Sequence, residues 1–175
     1  MQGCDISREF EKKLGGIVEL DGGWIVNHYA GPEGFLGWLA LQPRYHKKDF
    51  ASLEKNETEA LGRNIQNIDM ALRQYWSIRF PEDPIEKLYL VYFHESEEYH
   101  LHIHIISRSR KLGQDNPSEK AAWKICTLAP CWNNFPEEYR LRAKETKGND
   151  NLIHKEEVVA LMTHLKGYLW VIPRR

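Results

Sequence analysis

The stretch YHLHIHII, residues 99–106, alternates histidine with aliphatic residues. On a β-strand, successive side chains point to opposite faces, so His100, His102 and His104 share one face and the aliphatic residues between them share the other. Burying three polar rings together needs compensation that an apolar core does not supply. The pattern therefore predicts a β-strand that carries a functional site on one face.

Three interpretations of the aligned imidazoles remain open at this point. In a metal site, neighbours at i and i+2 lie about 6.5–7 Å apart and two of them can hold one zinc ion, with a third ligand from elsewhere, such as His94 or a glutamate. In nucleophilic catalysis, one imidazole attacks while its neighbours orient it and contact the substrate. The third interpretation is a set of hydrogen-bonded histidines on a half-buried sheet face.

Composition and charge exclude several classes of protein. The chain has 175 residues, 42% of them hydrophobic and 28% charged, which is typical of one globular domain with a core. With 24 Lys and Arg against 25 Asp and Glu, the net charge is −1. No excess of positive charge is present to bind a nucleic acid polymer or an acidic membrane, so neither is expected as a partner.

The cysteines and the N-terminal residues indicate a cytoplasmic protein. Cys4, Cys126 and Cys131 contain no C-x-x-C pair, so neither a disulfide framework nor a zinc knuckle is expected. Residues 1–13 contain no apolar signal region, and no apolar run reaches the ~20 residues that span a bilayer.

The N-terminal half predicts a hairpin, a short strand and a long helix. Apolar residues 16–20 and 24–27 flank Asp-Gly-Gly at 21–23, a strong hairpin signal. Residues 38–41 form a short strand that Pro43 stops. The helix is indicated by one apolar stripe, by an Asn56–Glu59 capping arrangement and by Pro81 at its far end. The stripe consists of Leu61, Ile65, Ile68, Leu72 and Trp76.

Two further strands and a second helix complete the expected α+β arrangement. The strands cover residues 88–93 and 99–106, both rich in β-branched, aromatic or aliphatic residues. The second helix covers about residues 155–168 and turns Val158, Val159, Met162 and Leu165 inward. Antiparallel strands with two main helices form an α+β class of fold.

The pattern H-φ-H-φ-H-φ-φ at residues 100–106 resembles the signature of the histidine triad (HIT) superfamily. The hairpin, the strand ending in LQPRYH at 41–46, the long helix and the next strand agree with it, so the resemblance covers residues 16–110. It implies a five-stranded antiparallel sheet, a homodimer and nucleotidyl hydrolase or transferase chemistry without a metal or other cofactor. Residues 1–110 would form the catalytic domain, and residues 111–175 a C-terminal extension packed on it.

The resemblance also implies a role for each histidine. His102 would attack the α-phosphorus and form a covalent nucleotidyl-imidazole, which water or another acceptor then resolves. His100 would hold the tautomer of His102, mainly through its backbone carbonyl, and His104 would contact phosphate oxygens. Asn27 or His28 would reach the ribose of the nucleotide.

The chain departs from the family pattern at three places. Trp38 stands five residues before Pro43, where many members carry a fourth active-site histidine, and an indole can donate one N–H but cannot share a proton. The segment HESEE at 94–98 is acidic and repels a polyphosphate, although Ser96 can donate to phosphate. Only Cys4 remains of the early cysteine pair that holds structural zinc in some members, so no zinc is expected. His46, in the matched P-x-x-H segment, and Trp38 are further candidate nucleotide contacts.

The sequence thus predicts a cytoplasmic HIT-type enzyme that cleaves nucleoside phosphoramidates or dinucleoside polyphosphates at the α-phosphorus. Two alternatives belong to other classes of function. One is a nucleotide-binding protein without turnover, which Trp38 and the acidic segment favour. The other is a metal-binding module.

Overall fold

The structure, a computed structural model, describes residues 5–29, 36–92, 100–109 and 155–171. Within these residues the chain forms α-helices and β-strands that we number in chain order. They are α1 (Ser7–Glu11), β1 (Ile17–Glu19), β2 (Trp24–His28), β3 (Trp38–Pro43), α2 (Lys55–Arg79), β4 (Ile85–Tyr92), β5 (Ile103–Ser109) and α3 (Lys155–Val171).

The strands form one antiparallel sheet of five in the order β1-β2-β3-β5-β4. With the two long helices α2 and α3, this confirms the predicted α+β class. Strand β5 lies between β3 and β4, and His104 pairs in register with Ala40 on one side and Val91 on the other. The end of the histidine stretch is therefore fixed in the interior of the sheet.

One face of the sheet belongs to the main core. Alternate strand residues such as Val26, Leu41 and Ile105 join a buried cluster with Ile68 of α2 and Leu161 of α3. Burying several such side chains from water is the main stabilising term for a domain of this size. The opposite face carries a smaller cluster of buried and partly buried rings and aliphatic groups, formed by Trp38, Ile106, Tyr29, Tyr89 and Val91.

The predicted hairpin is confirmed. Strands β1 and β2 pair antiparallel with Ile17 opposite Asn27, and a 3-10 turn at Asp21–Gly23 joins them. Gly22 and Gly23 have φ of 68° and 79°, which only glycine adopts without cost. The Asp-Gly-Gly signal therefore reflects a real backbone requirement.

Helix α2 buries the predicted residues Ile68, Leu72 and Trp76, but the predicted cap at Asn56 and Glu59 is wrong. The helix begins at Lys55, and Glu54 and Glu57 form the capping box, with the Glu54 backbone N–H donating to Glu57 Oε2 at 2.7 Å. The capping box lies two residues earlier because Glu57 is anchored. Its carbonyl accepts from the Trp24 indole at 2.8 Å.

Other predictions of strand ends and of buried positions were also wrong. Strand β4 begins at Ile85, three residues before the predicted start at residue 88. Strand β3 includes Pro43, which pairs with Trp24 at the strand end, where the missing N–H breaks no interior ladder bond. Strand β5 begins at Ile103, so His100 and His102 precede it. On α3 the side chain of Val159 is 46% exposed, because the buried stripe runs through its neighbours Val158, Leu161, Met162, Leu165 and Leu169.

Two further predictions concern the C-terminal extension and helices that could span a membrane. Residues 110–154, which include the boundary between the proposed catalytic domain and its extension, lie outside the described residues. Within the residues described, no helix combines the length and apolar character needed to cross a membrane.

Candidate functional site

A cleft of about 480 Å³ opens beside the three histidines on the sheet face opposite the main core. The segment around α1 forms one wall, β2 and β3 form the floor, and the histidine stretch forms the other wall. The lining residues are Phe10, Lys13, Leu14, Asn27, Tyr29, Ala40, Gln42, His100, His102 and His104. Among these described lining residues none is acidic and Lys13 is basic, so this part of the cleft suits an anionic group.

The backbone before β5 is held by the loop after β3 rather than by a strand ladder. The Leu101 N–H donates to the Lys47 carbonyl at 2.7 Å, and His100 Nε2 lies 2.9 Å from the Pro43 carbonyl. A carbonyl can only accept, so His100 carries its proton on Nε2. The Lys47 N–H then donates to His100 Nδ1 at 3.4 Å, which fixes the ring at both nitrogens.

Lys47 is in turn tied to the start of α2. Its ammonium lies 3.2 Å from a carboxylate oxygen of Glu54 and 3.2 Å from one of Glu57, whose side chain is only 5% exposed. Burial by itself lowers the pKa of Lys47, but the hydrogen bonds and charges of Glu54 and Glu57 outweigh it and raise the pKa. The capping box of α2 thus supports the loop that holds His100.

His102 is held at Nδ1 by the segment it belongs to. Its Nδ1 lies 2.9 Å from the His100 carbonyl, so Nδ1 carries the proton and the neutral ring has its lone pair at Nε2. That Nε2 faces His104 Nε2 at 3.1 Å, with the two rings perpendicular and their centroids 4.7 Å apart. The contact between His102 Nδ1 and the His100 carbonyl is the one that the resemblance implies for His100.

His104 and His100 are held in the neutral form by their surroundings. Burial, with a smaller contribution from the neighbouring His102, lowers the pKa of His104 to about 4. Burial is also the main cause that lowers the pKa of His100 to about 4, against the opposing hydrogen bond to Pro43. Near neutral pH, both rings are therefore uncharged hydrogen-bonding groups.

Trp38 lies behind His104 and does not line the cleft. Its Nε1–H donates to His104 Nδ1 at 3.0 Å, and the indole is 1% exposed. Tyr29 stacks on the indole with centroids 4.3 Å apart and meets His104 edge-on at 5.4 Å. The predicted ligand-contact position is thus occupied by a ring that contacts the triad instead.

The structure brings some of the predicted nucleotide contacts to the cleft and leaves others away from it. Asn27 lines the cleft, and its Oδ1 accepts from Gln42 Nε2 at 2.9 Å. His28 pairs in register with Leu39, a core residue, so it lies on the opposite face. His46 is exposed, with its ring 5.4 Å from that of His100. Ser96 and the acidic segment 94–98 lie outside the described residues.

Sequence reasoning missed the wall that precedes β1. Phe10, Lys13 and Leu14 line the cleft, and the Lys13 ammonium lies 4.0 Å from the centroid of the Phe10 ring. No motif marks these residues, because Phe10 lies within a five-residue helix that is too short to show a periodic pattern, and Lys13 and Leu14 follow it. Gln42 was within reach of a prediction, since it alternates with Ala40 and Trp38 along β3.

Among the described residues, no group of three or more His, Cys, Asp or Glu side chains is arranged to hold a metal ion. His94, which the metal interpretation names as a possible third ligand, lies outside these residues.

Comparisons with protein-family models, with curated proteins and with solved structures return no match.

Proposed function

We propose that this chain is a HIT-type nucleotidyl hydrolase or transferase that acts through a covalent nucleotidyl-His102. Its substrates are nucleoside phosphoramidates, dinucleoside polyphosphates or similar conjugates, and it works in the cytoplasm as a homodimer. One observation carries the proposal. The Nδ1–H of His102 is fixed by the His100 carbonyl at 2.9 Å, which leaves a lone pair at Nε2 on the wall of the cleft.

The chemistry takes two displacements at the same phosphorus. In the first, His102 Nε2 forms a bond to the α-phosphorus while the bond from phosphorus to the leaving oxygen or nitrogen breaks. The leaving group keeps that electron pair and takes a proton from solvent. In the second, the oxygen of a water or acceptor hydroxyl attacks the phosphorus and releases its proton to solvent, the N–P bond breaks, and His102 regains its lone pair. Splitting one slow displacement in two lowers the overall barrier.

The remaining lining residues are suited to bind the phosphoryl group and the nucleoside of the substrate. His104 is neutral and offers one N–H toward the reacting centre, which suits a phosphoryl oxygen rather than general-acid catalysis. Lys13 supplies a positive charge on the opposite wall. The apolar side chains of Phe10 and Leu14 are suited to contact a nucleobase, and the Asn27–Gln42 pair provides amide groups for a ribose.

The direct test is intact mass spectrometry after brief incubation with an adenosine phosphoramidate, with AMP release assayed in the same samples. We expect an adenylyl adduct and AMP with the wild type, and neither with His102→Ala. The control is His164→Ala, a histidine on α3 that packs edge-on against Tyr75 away from the cleft. It is expected to behave as wild type.

Two results would favour the alternative functions. Nucleotide binding by the wild type without adduct or AMP would indicate a nucleotide-binding protein without turnover. Tryptophan at position 38, where many HIT members carry histidine, favours that alternative. Stoichiometric zinc in the purified protein, with loss of activity on chelation, would indicate a metal-dependent site. Adduct formation that survives in His102→Ala would place the nucleophile elsewhere.

A further inference from the structure

Trp38 hydrogen-bonds to the ring nitrogen of His104 that would have to accept a second proton, Nδ1. The indole is a donor only, so the 3.0 Å contact from Trp38 Nε1 makes His104 Nδ1 an acceptor. A neutral imidazole carries one proton, and that proton is then on Nε2. The Nε2 of His104 points at Nε2 of His102, 3.1 Å away.

The other end of the chain of hydrogen bonds leads to the same assignment. The His100 carbonyl accepts from His102 Nδ1, so His102 Nε2 holds a lone pair. The three contacts are therefore consistent in one direction only: from Trp38 to His104, from His104 to His102, and from His102 to the carbonyl. A proton added to His102 Nε2 would set two N–H groups against each other.

We propose that Trp38 is a positioning residue that blocks the second protonation site of His104. The single N–H of His104 then covers the lone pair of His102 by donating a hydrogen bond to it, until an anionic oxygen accepts that N–H instead. The role of the uncovered lone pair rests on the proposed function. The covering itself does not. A phosphoryl oxygen in the cleft accepts the His104 N–H, and His102 Nε2 is then free to attack.

The surroundings of His104 leave few other groups to set its charge. His102 faces it from the same segment, and Tyr29 meets its ring edge-on from the residue after β2. In register, it is flanked by Ala40 of β3 and Val91 of β4, which carry no charge. Among the described residues, the titratable groups that face His104 are therefore His102 and Tyr29.

The test is nuclear magnetic resonance on protein labelled with ¹⁵N in histidine and tryptophan, without nucleotide and without turnover. In the wild type we expect pyridine-type Nδ1 and pyrrole-type Nε2 for His104, and the reverse for His102. We expect ¹⁵N–¹⁵N couplings across both hydrogen bonds, from Trp38 to His104 and from His104 to His102. The opposite tautomer for His104 overturns the proposal without any variant.

Two perturbations test the covering and the block separately. Saturating inorganic phosphate should remove the His104–His102 coupling and leave the Trp38–His104 coupling in place. No change with phosphate overturns the release by an anion. In Trp38→Phe, which keeps a ring to stack on Tyr29, we expect His104 to take its second proton at a higher pH. A titration identical to wild type overturns the block.

This experiment separates the inference from the proposed function. If the couplings and titrations appear as expected but no adenylyl adduct forms, the inference about Trp38 and His104 stands and the proposed function fails. If an adduct forms but the His104–His102 coupling is missing, the reverse holds.

Discussion

At the scale of the residue, the triad histidines show how one side-chain type acquires two different tautomers. His100 has its proton on Nε2 because Pro43 offers a carbonyl there, whereas His102 has its proton on Nδ1 because the His100 carbonyl lies on that side. The alternation in the sequence predicts that the rings share one face. It carries no information about which nitrogen is protonated, because the partners come from elsewhere in the chain.

Lys13 gives the residue-scale prediction. It is the one lysine or arginine among the described residues that line the cleft, and its ammonium lies over the Phe10 ring. We expect Lys13→Gln to raise KM for an adenosine phosphoramidate about two- to fivefold, since a partly exposed charge contributes about 0.5–1 kcal/mol. The kcat value should change little, because Lys13 lies across the cleft from His102.

Steady-state kinetics measure this change, and the neighbouring lysine provides the matched control. Lys12 is exposed and does not line the cleft, so Lys12→Gln should keep the wild-type KM. Equal effects of the two substitutions would show that only the overall charge matters. A loss confined to kcat would place Lys13 at the reacting phosphorus instead.

At the scale of the element, the sequence predicts long periodic segments well and their ends poorly. The apolar stripe of α2 and the Asp-Gly-Gly hairpin are both local patterns, and both are confirmed. The start of β5 depends on non-local bonds. The pattern continues back to His100, but the Leu101 N–H donates to Lys47 and not to a neighbouring strand. The capping box depends likewise on a distant contact, from Trp24 to Glu57.

The hairpin turn allows an element-scale prediction with an internal control. Both Gly22 and Gly23 have positive φ, so alanine at either position carries a similar backbone cost of about 1 kcal/mol. A Cβ on Gly22 would lie 2.5 Å from the Asn56 carbonyl oxygen and 2.6 Å from the Ala60 Cβ, whereas a Cβ on Gly23 meets nothing within 4 Å. Gly22→Ala should therefore destabilise by about 1–3 kcal/mol more than Gly23→Ala.

Urea unfolding of the two variants and the wild type measures the difference. We expect a lower midpoint for Gly22→Ala with an unchanged slope, since the clash affects the folded state. Equal midpoints would mean that the turn moves away from α2 at no cost. In that case the contact between the hairpin and the helix would not be rigid.

At the scale of the whole molecule, the site is built from parts that are far apart in the sequence. The cleft joins Phe10 and Lys13 before β1, Asn27 and Gln42 on two strands, and the triad after residue 99. Sequence reasoning found the triad, because its residues lie together in a regular pattern, and it found Asn27 through the resemblance. It missed the first wall because only the folded sheet brings that wall to the histidines.

The neutral histidines link this site to the stability of the whole protein. Burial lowers the pKa of His100 and of His104 from 6.5 to about 4. In the unfolded chain each ring binds a proton near pH 6.5, so between these values the unfolded state holds more protons than the folded state. The free energy of unfolding should therefore fall as the pH falls from about 6.5 to about 4, by roughly 2 kcal/mol for each histidine. Hydrogen bonds from Ser7 lower the pKa of Asp5 below 3.8, so the contribution of that carboxylate is lost only at still lower pH.

Urea midpoints measured at several pH values between 7 and 4 test this expectation. His104→Gln removes one of the two buried rings and keeps an oxygen that can accept from Trp38, so its loss of stability over the same range should be about half that of the wild type. His46→Gln removes an exposed histidine and should keep most of the wild-type slope. A wild-type protein equally stable at pH 7 and pH 4.5 would contradict the burial of neutral imidazoles. It would also remove the basis for a His104 that acts only as a neutral donor, because a ring that accepts a proton freely cannot keep its one N–H on the lone pair of His102.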